Sequence, residues 1–370
     1  MTGYKKAVSR EVEQRLDEAE RRGRCLAAHD DSLYRALMRR RRDGLVISPF
    51  PRVFARLESW NRLNKFERSR NMLLGVHDLH PGWTFCSTSA AVLMGLQVPF
   101  AVIDRQVHVA RTRPPKSRNR QVVYHDVYCD KVLDGGAATT TSFELTAFDC
   151  MRAMGFRYGV AIADSLLSVS GMPKQQLVDY VERRRGGFRG APAARAAARF
   201  ADARSANGGE SVARAVMYEL GFAVPELQVG FADPMDPSRA YYADFVWNLG
   251  RDSGGGGLAA SASATPGSRA SVGDGLVIGE LDGVEKYFDP VMNRGGGVDG
   301  ALLRERRRES RLTIARPAIV RFSFEEVLDL GYFDRLLETF GVPRDHKPLV
   351  RIPWVPDAMD ERVPLEVYGV

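Results

Sequence analysis

The carboxylates of Glu280 and Asp282 and the ammonium group of Lys286 follow an apolar run in the stretch LVIGELDGVEK, residues 276–286. Side chains two residues apart on a strand point to the same face, so Glu280 and Asp282 share a face if this run is a strand. Lys286 lies four residues further on. Because buried charges are costly unless something pairs with them, the pattern predicts either a functional site or an ordered ion-pair network.

A further carboxylate, Asp244, lies in the preceding strand pattern, YYADFVWNL. Residues 251–275, rich in Gly, Ser and Ala, predict a flexible surface loop. Each doubling of such a loop costs only about 0.6 kcal/mol, so the flanking strands can still be hairpin neighbours. That pairing would bring Asp244 and Glu280 together, and two adjacent carboxylates repel unless a proton or a cation intervenes. Mg²⁺ binds one or two carboxylates plus phosphate oxygens, so we predict Asp244 and Glu280 as its ligands.

Three neighbouring residues complete this candidate site. Glu210, on the preceding helix pattern, is placed to supply a third oxygen or to hold a metal-bound water. Lys286 is placed to stabilise charge that develops on a phosphate, and Gln228 to orient a water or a phosphate. The alternative is a purely structural network in which the two predicted ligands meet basic partners. Those partners would be Lys286, Arg304 or Arg307.

The positive charge of the chain is concentrated at its N-terminal end. The full sequence has 53 Lys/Arg and 46 Asp/Glu, and residues 1–80 hold 18 of the former and 11 of the latter, so the whole excess of seven lies there. Such asymmetry favours a polyanionic partner such as nucleic acid, although a solvated helix face gives a similar count.

Two helices, predicted over 9–22 and 31–42, precede two short strand-like pieces broken by Pro49 and Pro51. Helices followed by a β-ribbon predict a winged helix-turn-helix that binds double-stranded DNA. A small α+β packing unit without a DNA role is the alternative. The predicted phosphate contacts are arginines of the second helix and the wing. They are Arg35, Arg39, Arg40, Arg41, Arg42, Arg52 and Arg56.

The remaining patterns predict a multidomain chain of the α+β and α/β classes. A middle α+β region is followed by a C-terminal unit in the order α-β-β-β-α-β-α, a mixed sheet flanked by helices. The predicted divisions are 1–80, 81–205, 206–345 and a tail over 346–370.

Composition limits the broad class of protein. With 44% hydrophobic and 27% charged residues and no apolar run long enough to span a membrane, we expect a cytoplasmic protein without membrane partners. The four cysteines are scattered without CxxC pairing, so no zinc site or disulfide framework is predicted.

The C-terminal half resembles the very-short-patch-repair-like endonuclease group within the PD-(D/E)xK fold. The matching pieces are GGESVAR, PELQVGF, YADFVW, VIGELDGVEKYF, LLRERRRESRL and AIVRFSFEEV. The resemblance implies a restriction-endonuclease-like fold in which Asp244 and Glu280 bind metal and Glu210 is the helix glutamate. One position departs from the family pattern, because Asp282 stands where the family usually has its catalytic lysine.

The rest of the chain resembles AbiEi-type antitoxins of abortive-infection, type IV toxin–antitoxin systems. The resemblance is carried by WTFCSTSAAVLMGL, the HVA strand and TTTSFELTAFDCMRAM, with the N-terminal winged helix matching residues of about 10–56. It implies an antitoxin or transcriptional regulator that binds DNA, with a nucleotidyltransferase toxin as partner.

The sequence favours the first of three functions and leaves the other two as alternatives. The first is a DNA-binding regulator of antitoxin type that carries a nuclease-fold domain. The second is a Mg²⁺-dependent DNA endonuclease that hydrolyses phosphodiesters. The third is a non-catalytic interaction scaffold whose acidic residues have only structural partners.

Overall fold

In the computed structural model, two compact units divide the chain, Met1–Ala153 and Met154–Val370. The division falls beside Gly155, whose φ of 77° interrupts a long helix. The predicted boundary at 205 lies inside the second unit. The described residues are 2–103, 106–111, 120–126, 132–134, 137–183, 188–233, 236–249, 275–282 and 318–350.

The first unit begins with two helices and a three-stranded antiparallel sheet, ordered β1-β3-β2. The elements are α1 (Thr2–Arg21), β1 (Leu26–Ala27), α2 (Asp31–Arg42), β2 (Val46–Phe50) and β3 (Val53–Arg56). The two predicted helices and the ribbon are thus confirmed as elements, in the predicted order.

Local sequence explains where α2 begins and which face it buries. The Asp30 carboxylate caps the helix by accepting the Leu33 N–H at 2.8 Å. Leu33 and Leu37 are buried against Leu16 and Phe54, as their spacing of one helical turn requires. The opposite face of α2 is therefore left to its polar and basic residues.

The first unit continues with a five-stranded mixed sheet, ordered β6-β5-β4-β8-β7. Its elements are α3 (Leu57–Arg62), α4 (Lys65–Leu79), β4 (Thr84–Phe85), α5 (Ser87–Met94), β5 (Val107–Arg111), β6 (Val122–Asp126), β7 (Val132–Asp134) and β8 (Thr139–Thr141). The helix α6 (Phe143–Ser170) then leads across Gly155 into the second unit.

A four-stranded mixed sheet, ordered β9-β10-β11-β12, organises the second unit. Its elements are α7 (Lys174–Arg183), α8 (Ala191–Phe200), α9 (Gly208–Glu219), β9 (Glu226–Asp233), β10 (Asp236–Asn248), β11 (Leu276–Asp282), β12 (Ala318–Ser323), α10 (Phe324–Leu328) and α11 (Leu330–Thr339). β9, β10 and β11 are antiparallel neighbours, whereas β11 and β12 are parallel. The predicted hairpin pairing of the strands on either side of the long loop is therefore confirmed.

Each face of this sheet carries its own apolar cluster. The α9 cluster is the set of buried residues that joins Val212 of α9 to Phe245, Val277 and Leu281. The opposite cluster contains Phe231, Ala243, Val246, Leu276 and Ile278. Burial on both faces explains why β11 is apolar at successive positions instead of alternating.

Some predicted features lie outside the described residues. They are loop residues 251–274, Lys286, Arg304, Arg307, the helix predicted between the third and fourth strands of the C-terminal unit, and the tail beyond residue 350. Among the helices of the described part, none is both long and apolar enough to cross a membrane.

Candidate functional site

The start of α9 fixes the position of Glu210. Asn207 caps this helix by accepting the Glu210 N–H at 3.0 Å, and its side-chain Nδ2 donates to Glu210 Oε1 at 2.7 Å. The Ala206 N–H donates to the other carboxylate oxygen at 2.8 Å. Glu210 is only 3% exposed. Its carboxylate is therefore held in one orientation beneath the sheet by the turn that begins the helix.

A buried ion pair anchors the segment that leads into α9. Arg214 and Asp164 are almost fully buried and lie 2.8 Å apart. Arg214 also donates to the Phe200 carbonyl at 2.9 Å, and Asp164 accepts the Asp202 N–H at 2.7 Å. Because these bonds tie α6, α9 and the intervening segment together, they fix where α9 begins and hence where Glu210 lies.

Gln228 links Glu210 to the sheet. Its Nε2 donates to Glu210 Oε2 at 3.1 Å and lies 3.4 Å from Asp244 Oδ1. Gln228 has a φ of 50°, a left-handed conformation that a non-glycine residue seldom adopts. Leu227 packs in the α9 cluster and Val229 against the opposite cluster, although residues two apart normally share a face. The left-handed residue thus interrupts the strand where the acidic side chains meet.

Asp244 lies opposite Gln228, between the rungs Phe245–Leu227 and Ala243–Val229. Its Oδ2 accepts the Leu281 N–H at 3.0 Å, so a carboxylate replaces the backbone carbonyl that a regular ladder would supply. The pairing between β10 and β11 runs from Asn248–Leu276 to Phe245–Gly279. Asp244 therefore lies just where this ladder stops, and its side chain bonds across the opening.

Glu280 is the next residue after the last rung of that ladder. By sequence position Glu280 corresponds to Asp244, one residue past the last rung that joins the two strands. Glu280 is 3% exposed and pairs in register with Arg321 of β12. Arg321 lies 3.4 Å from the exposed carboxylate of Asp282. One row across the sheet thus contains Gln228, Asp244, Glu280 and Arg321.

Electrostatics set Glu210 apart from an ordinary carboxyl. Burial, followed by repulsion from Asp244, raises the pKa of Glu210 from 4.5 to about 8, and Glu280 adds to the increase. Hydrogen bonds from Ala206 and Gln228 act in the opposite direction on this pKa. The net direction is upward because burial outweighs the donated bonds, so the group holds a proton at neutral pH.

Four of the five predicted catalytic residues can be placed. Gln228 joins Glu210 to Asp244, and Glu280 lies near enough to raise the pKa of Glu210, whereas Asp282 is paired with Arg321 at the exposed end of β11. Lys286 lies outside the described residues. Gln228 is predicted from the sequence to orient a water or a phosphate, whereas its bonds to the two carboxylates are seen only in the structure.

The donor set suits a hard divalent cation. Each carboxylate oxygen has two lone-pair directions, so an oxygen that accepts one hydrogen bond can still coordinate an ion. Within the described ranges, no group of three or more His, Cys, Asp or Glu side chains is arranged to hold a metal ion. Mg²⁺ does not require one, because it keeps several waters and takes one or two carboxylates.

The predicted DNA-binding arginines fall into two groups. Arg40 pairs with Glu13 at 3.2 Å, and Arg56 contacts Glu13, Asp17 and Glu20 of α1. These two arginines therefore link α1 to α2 and to β3. A third, Arg52, bonds to Asp31, to two backbone carbonyls and to the Tyr34 ring. The exposed members of the set are Arg35, Arg39, Arg41 and Arg42.

Comparison with known proteins adds no relative. No protein-family model, curated protein or solved structure shows a significant match to the chain.

Proposed function

We propose that this chain is a DNA-acting protein whose second unit holds a divalent cation between Asp244 and Glu280 and hydrolyses phosphodiesters. The supporting observation is the convergence of carboxylates at the interrupted row of the sheet. Gln228 bonds Glu210 and lies 3.4 Å from Asp244, and Glu280 follows the last rung between β10 and β11 and raises the pKa of Glu210.

The cation would be Mg²⁺, with Asp244 and Glu280 as its protein ligands. A bound divalent ion neutralises phosphate charge and lowers the pKa of a bound water. The chain's own residues orient one of these ligands, Asp244, through the Leu281 N–H and the Gln228 amide. Glu210, which holds a proton at neutral pH, lies beside these ligands and is placed to exchange that proton with a water or an oxygen of the phosphate.

A positive side chain is also needed where charge develops on the phosphate. Lys286 was predicted for this role from the sequence. Among the described residues, Arg321 lies in register with Glu280 and supplies such a charge from β12. Asp282, at the usual position of the lysine, contributes by holding the Arg321 guanidinium.

Cleavage of supercoiled plasmid with Mg²⁺ or Mn²⁺ tests this proposal. Asp244→Asn and Glu280→Gln keep the side-chain shapes and remove the charges that would bind the ion. We expect nicking by the wild type and loss in both variants. Equal residual nicking in all three proteins would identify a contaminant and reject the hydrolase.

A second candidate is a DNA-binding regulator of antitoxin type that does not cleave DNA. The four exposed arginines of α2 favour this candidate. The one acidic residue within α2 is Asp31, so the helix itself has an excess of positive charge. The cognate toxin would be a nucleotidyltransferase, as the AbiEi resemblance implies. In this case the acidic row would be a remnant or a structural feature of the fold.

Binding to the gene's own upstream DNA separates the two candidates. The regulator predicts a specific complex, without nicking, whose affinity falls steeply with salt because phosphate contacts release counterions. Equal affinity for unrelated DNA of the same length would contradict the regulator, and nicking lost in Asp244→Asn would favour the hydrolase.

A further inference from the structure

Gln228 combines an unusual backbone conformation with a central place among the carboxylates. A non-glycine residue at positive φ persists only where its surroundings enforce it, and such residues concentrate at functional sites. Gln228 lies in a strand, where neither a turn nor a helix end accounts for its φ of 50°. The positive φ of Gln228 therefore needs a contact elsewhere in the protein that favours it.

The side-chain amide supplies one answer. A glutamine amide nitrogen has two hydrogens, and Gln228 Nε2 has a different carboxylate oxygen within reach of each. One is Glu210 Oε2 at 3.1 Å and the other is Asp244 Oδ1 at 3.4 Å. The same nitrogen thus bridges a helix residue and a strand residue that would otherwise repel each other when both are ionised.

Three further polar contacts of the two carboxylates come from backbone or helix-cap groups. Glu210 accepts from Ala206 N–H and from Asn207 Nδ2, and Asp244 accepts from Leu281 N–H. Each of these contacts orients only one of the two acids. Of the contacts named here, the Gln228 amide alone sets their distance from each other.

We propose that Gln228 is a positioning residue, whose amide holds Glu210 and Asp244 in the arrangement that receives the divalent cation. This inference rests on the cation site proposed above. The left-handed backbone at 228 turns the amide toward both acids, and the interrupted alternation between Leu227 and Val229 accompanies that turn.

Gln228→Gly separates the effect of the side-chain amide from the effect of the backbone conformation. Glycine adopts positive φ without steric cost, so the variant keeps the chain path and removes only the amide. If Gln228 serves only the chain path, glycine should bind cation as well as the wild type does. If the amide positions the acids, the variant should fold but bind cation about 10- to 100-fold more weakly, the usual loss when a group that orients metal ligands is removed.

The measurement is Mn²⁺ titration of the full chain, followed by the electron paramagnetic resonance of the free ion, with far-ultraviolet circular dichroism to confirm folding. The matched control is Gln175→Ala, which removes an exposed glutamine amide that donates to Asp179 at 2.7 Å in the same unit. This control should keep the wild-type affinity. Should Gln228→Gly not fold, Gln228→Asn replaces it, because asparagine tolerates positive φ and its shorter amide cannot span both acids.

The outcomes separate the two levels of the argument. Wild-type affinity in a folded Gln228→Gly or Gln228→Asn protein would overturn the positioning role and leave the cation site standing. Absence of saturable Mn²⁺ binding in the wild type would overturn the cation site and this inference with it. Weakened binding in a folded 228 variant, with the Gln175→Ala control unchanged, is the predicted result.

Discussion

Replacing Glu210 by glutamine should change how the stability of the second unit depends on pH. The pKa of Glu210 is raised from 4.5 to about 8 in the folded protein, mainly by burial and then by Asp244. The folded state therefore binds the proton more tightly than the unfolded state does. This contribution to stability is complete below pH 4.5 and is lost as the pH rises through about 8.

The magnitude follows from linkage. For a single group with these two pKa values, the free energy of unfolding falls by about 3–4 kcal/mol between pH 5 and pH 8. Glu210→Gln cannot titrate and should lack this decline. At pH 5 the variant should be less stable than the wild type by about 1–3 kcal/mol. Its amide nitrogen replaces one of the two carboxylate oxygens, either the one that accepts from Asn207 or the one that accepts from Ala206 and Gln228.

Urea unfolding followed by Trp247 fluorescence measures this effect in the second unit. Trp247 is buried and donates to the Ala223 carbonyl at 2.7 Å, so its emission reports the core of the unit. Phenylalanine replaces the other three tryptophans, Trp60, Trp83 and Trp354, in every protein compared.

The control for the pH profile is Glu338→Gln, which removes an exposed carboxylate from α11 of the same unit. This variant should follow the wild-type profile. If the free energy of unfolding of Glu210→Gln falls between pH 5 and pH 8 as much as that of the wild type, Glu210 does not hold a proton in the folded protein. That result would contradict the raised pKa of Glu210.

Three further predictions address packing and charge. Gly279→Ala should lower the free energy of unfolding by about 1–3 kcal/mol, because a Cβ there would lie 3.1 Å from the Trp247 ring. An unchanged urea midpoint would show that the ring moves aside without cost. Arg214→Ala leaves the buried Asp164 carboxylate without its partner and should cost about 3–5 kcal/mol in the same assay, so a loss below 1 kcal/mol would contradict the anchoring of α9. Arg41→Ala should reduce the salt dependence of DNA binding by about one unit of log–log slope, whereas Arg56→Ala should leave that slope unchanged; the reverse result would refute our division of the arginines.

The sequence predicts those features that depend on local pattern. The Asp30 cap and the Leu33–Leu37 stripe give α2 over 31–42, as the structure has it. The strand patterns on either side of the long loop, together with the low cost of lengthening such a loop, allow the pairing of β10 with β11 that the structure shows. The proximity of Asp244 and Glu280 follows from that pairing.

Features that depend on distant contacts are harder to obtain from the sequence. The sequence around Gln228 does not predict a positive φ, because glutamine has no preference for that conformation. Arg40, Arg52 and Arg56 resemble the exposed arginines in type and spacing, and only the packing of α1 and α2 shows that acidic residues and carbonyls already engage them. Glu210 is predicted as a site residue from its helix pattern and from the family resemblance, but its raised pKa arises from burial that the sequence does not display.

Crystals soaked in Mn²⁺ provide the most direct test of the proposed cation site. We predict one anomalous peak at the row of the sheet between β9 and β11, within coordinating distance of both the Asp244 and Glu280 carboxylates. Carboxylates that face opposite sides of the sheet, or that are each clamped by an arginine with no ion between them, would contradict the site and the hydrolytic function built on it.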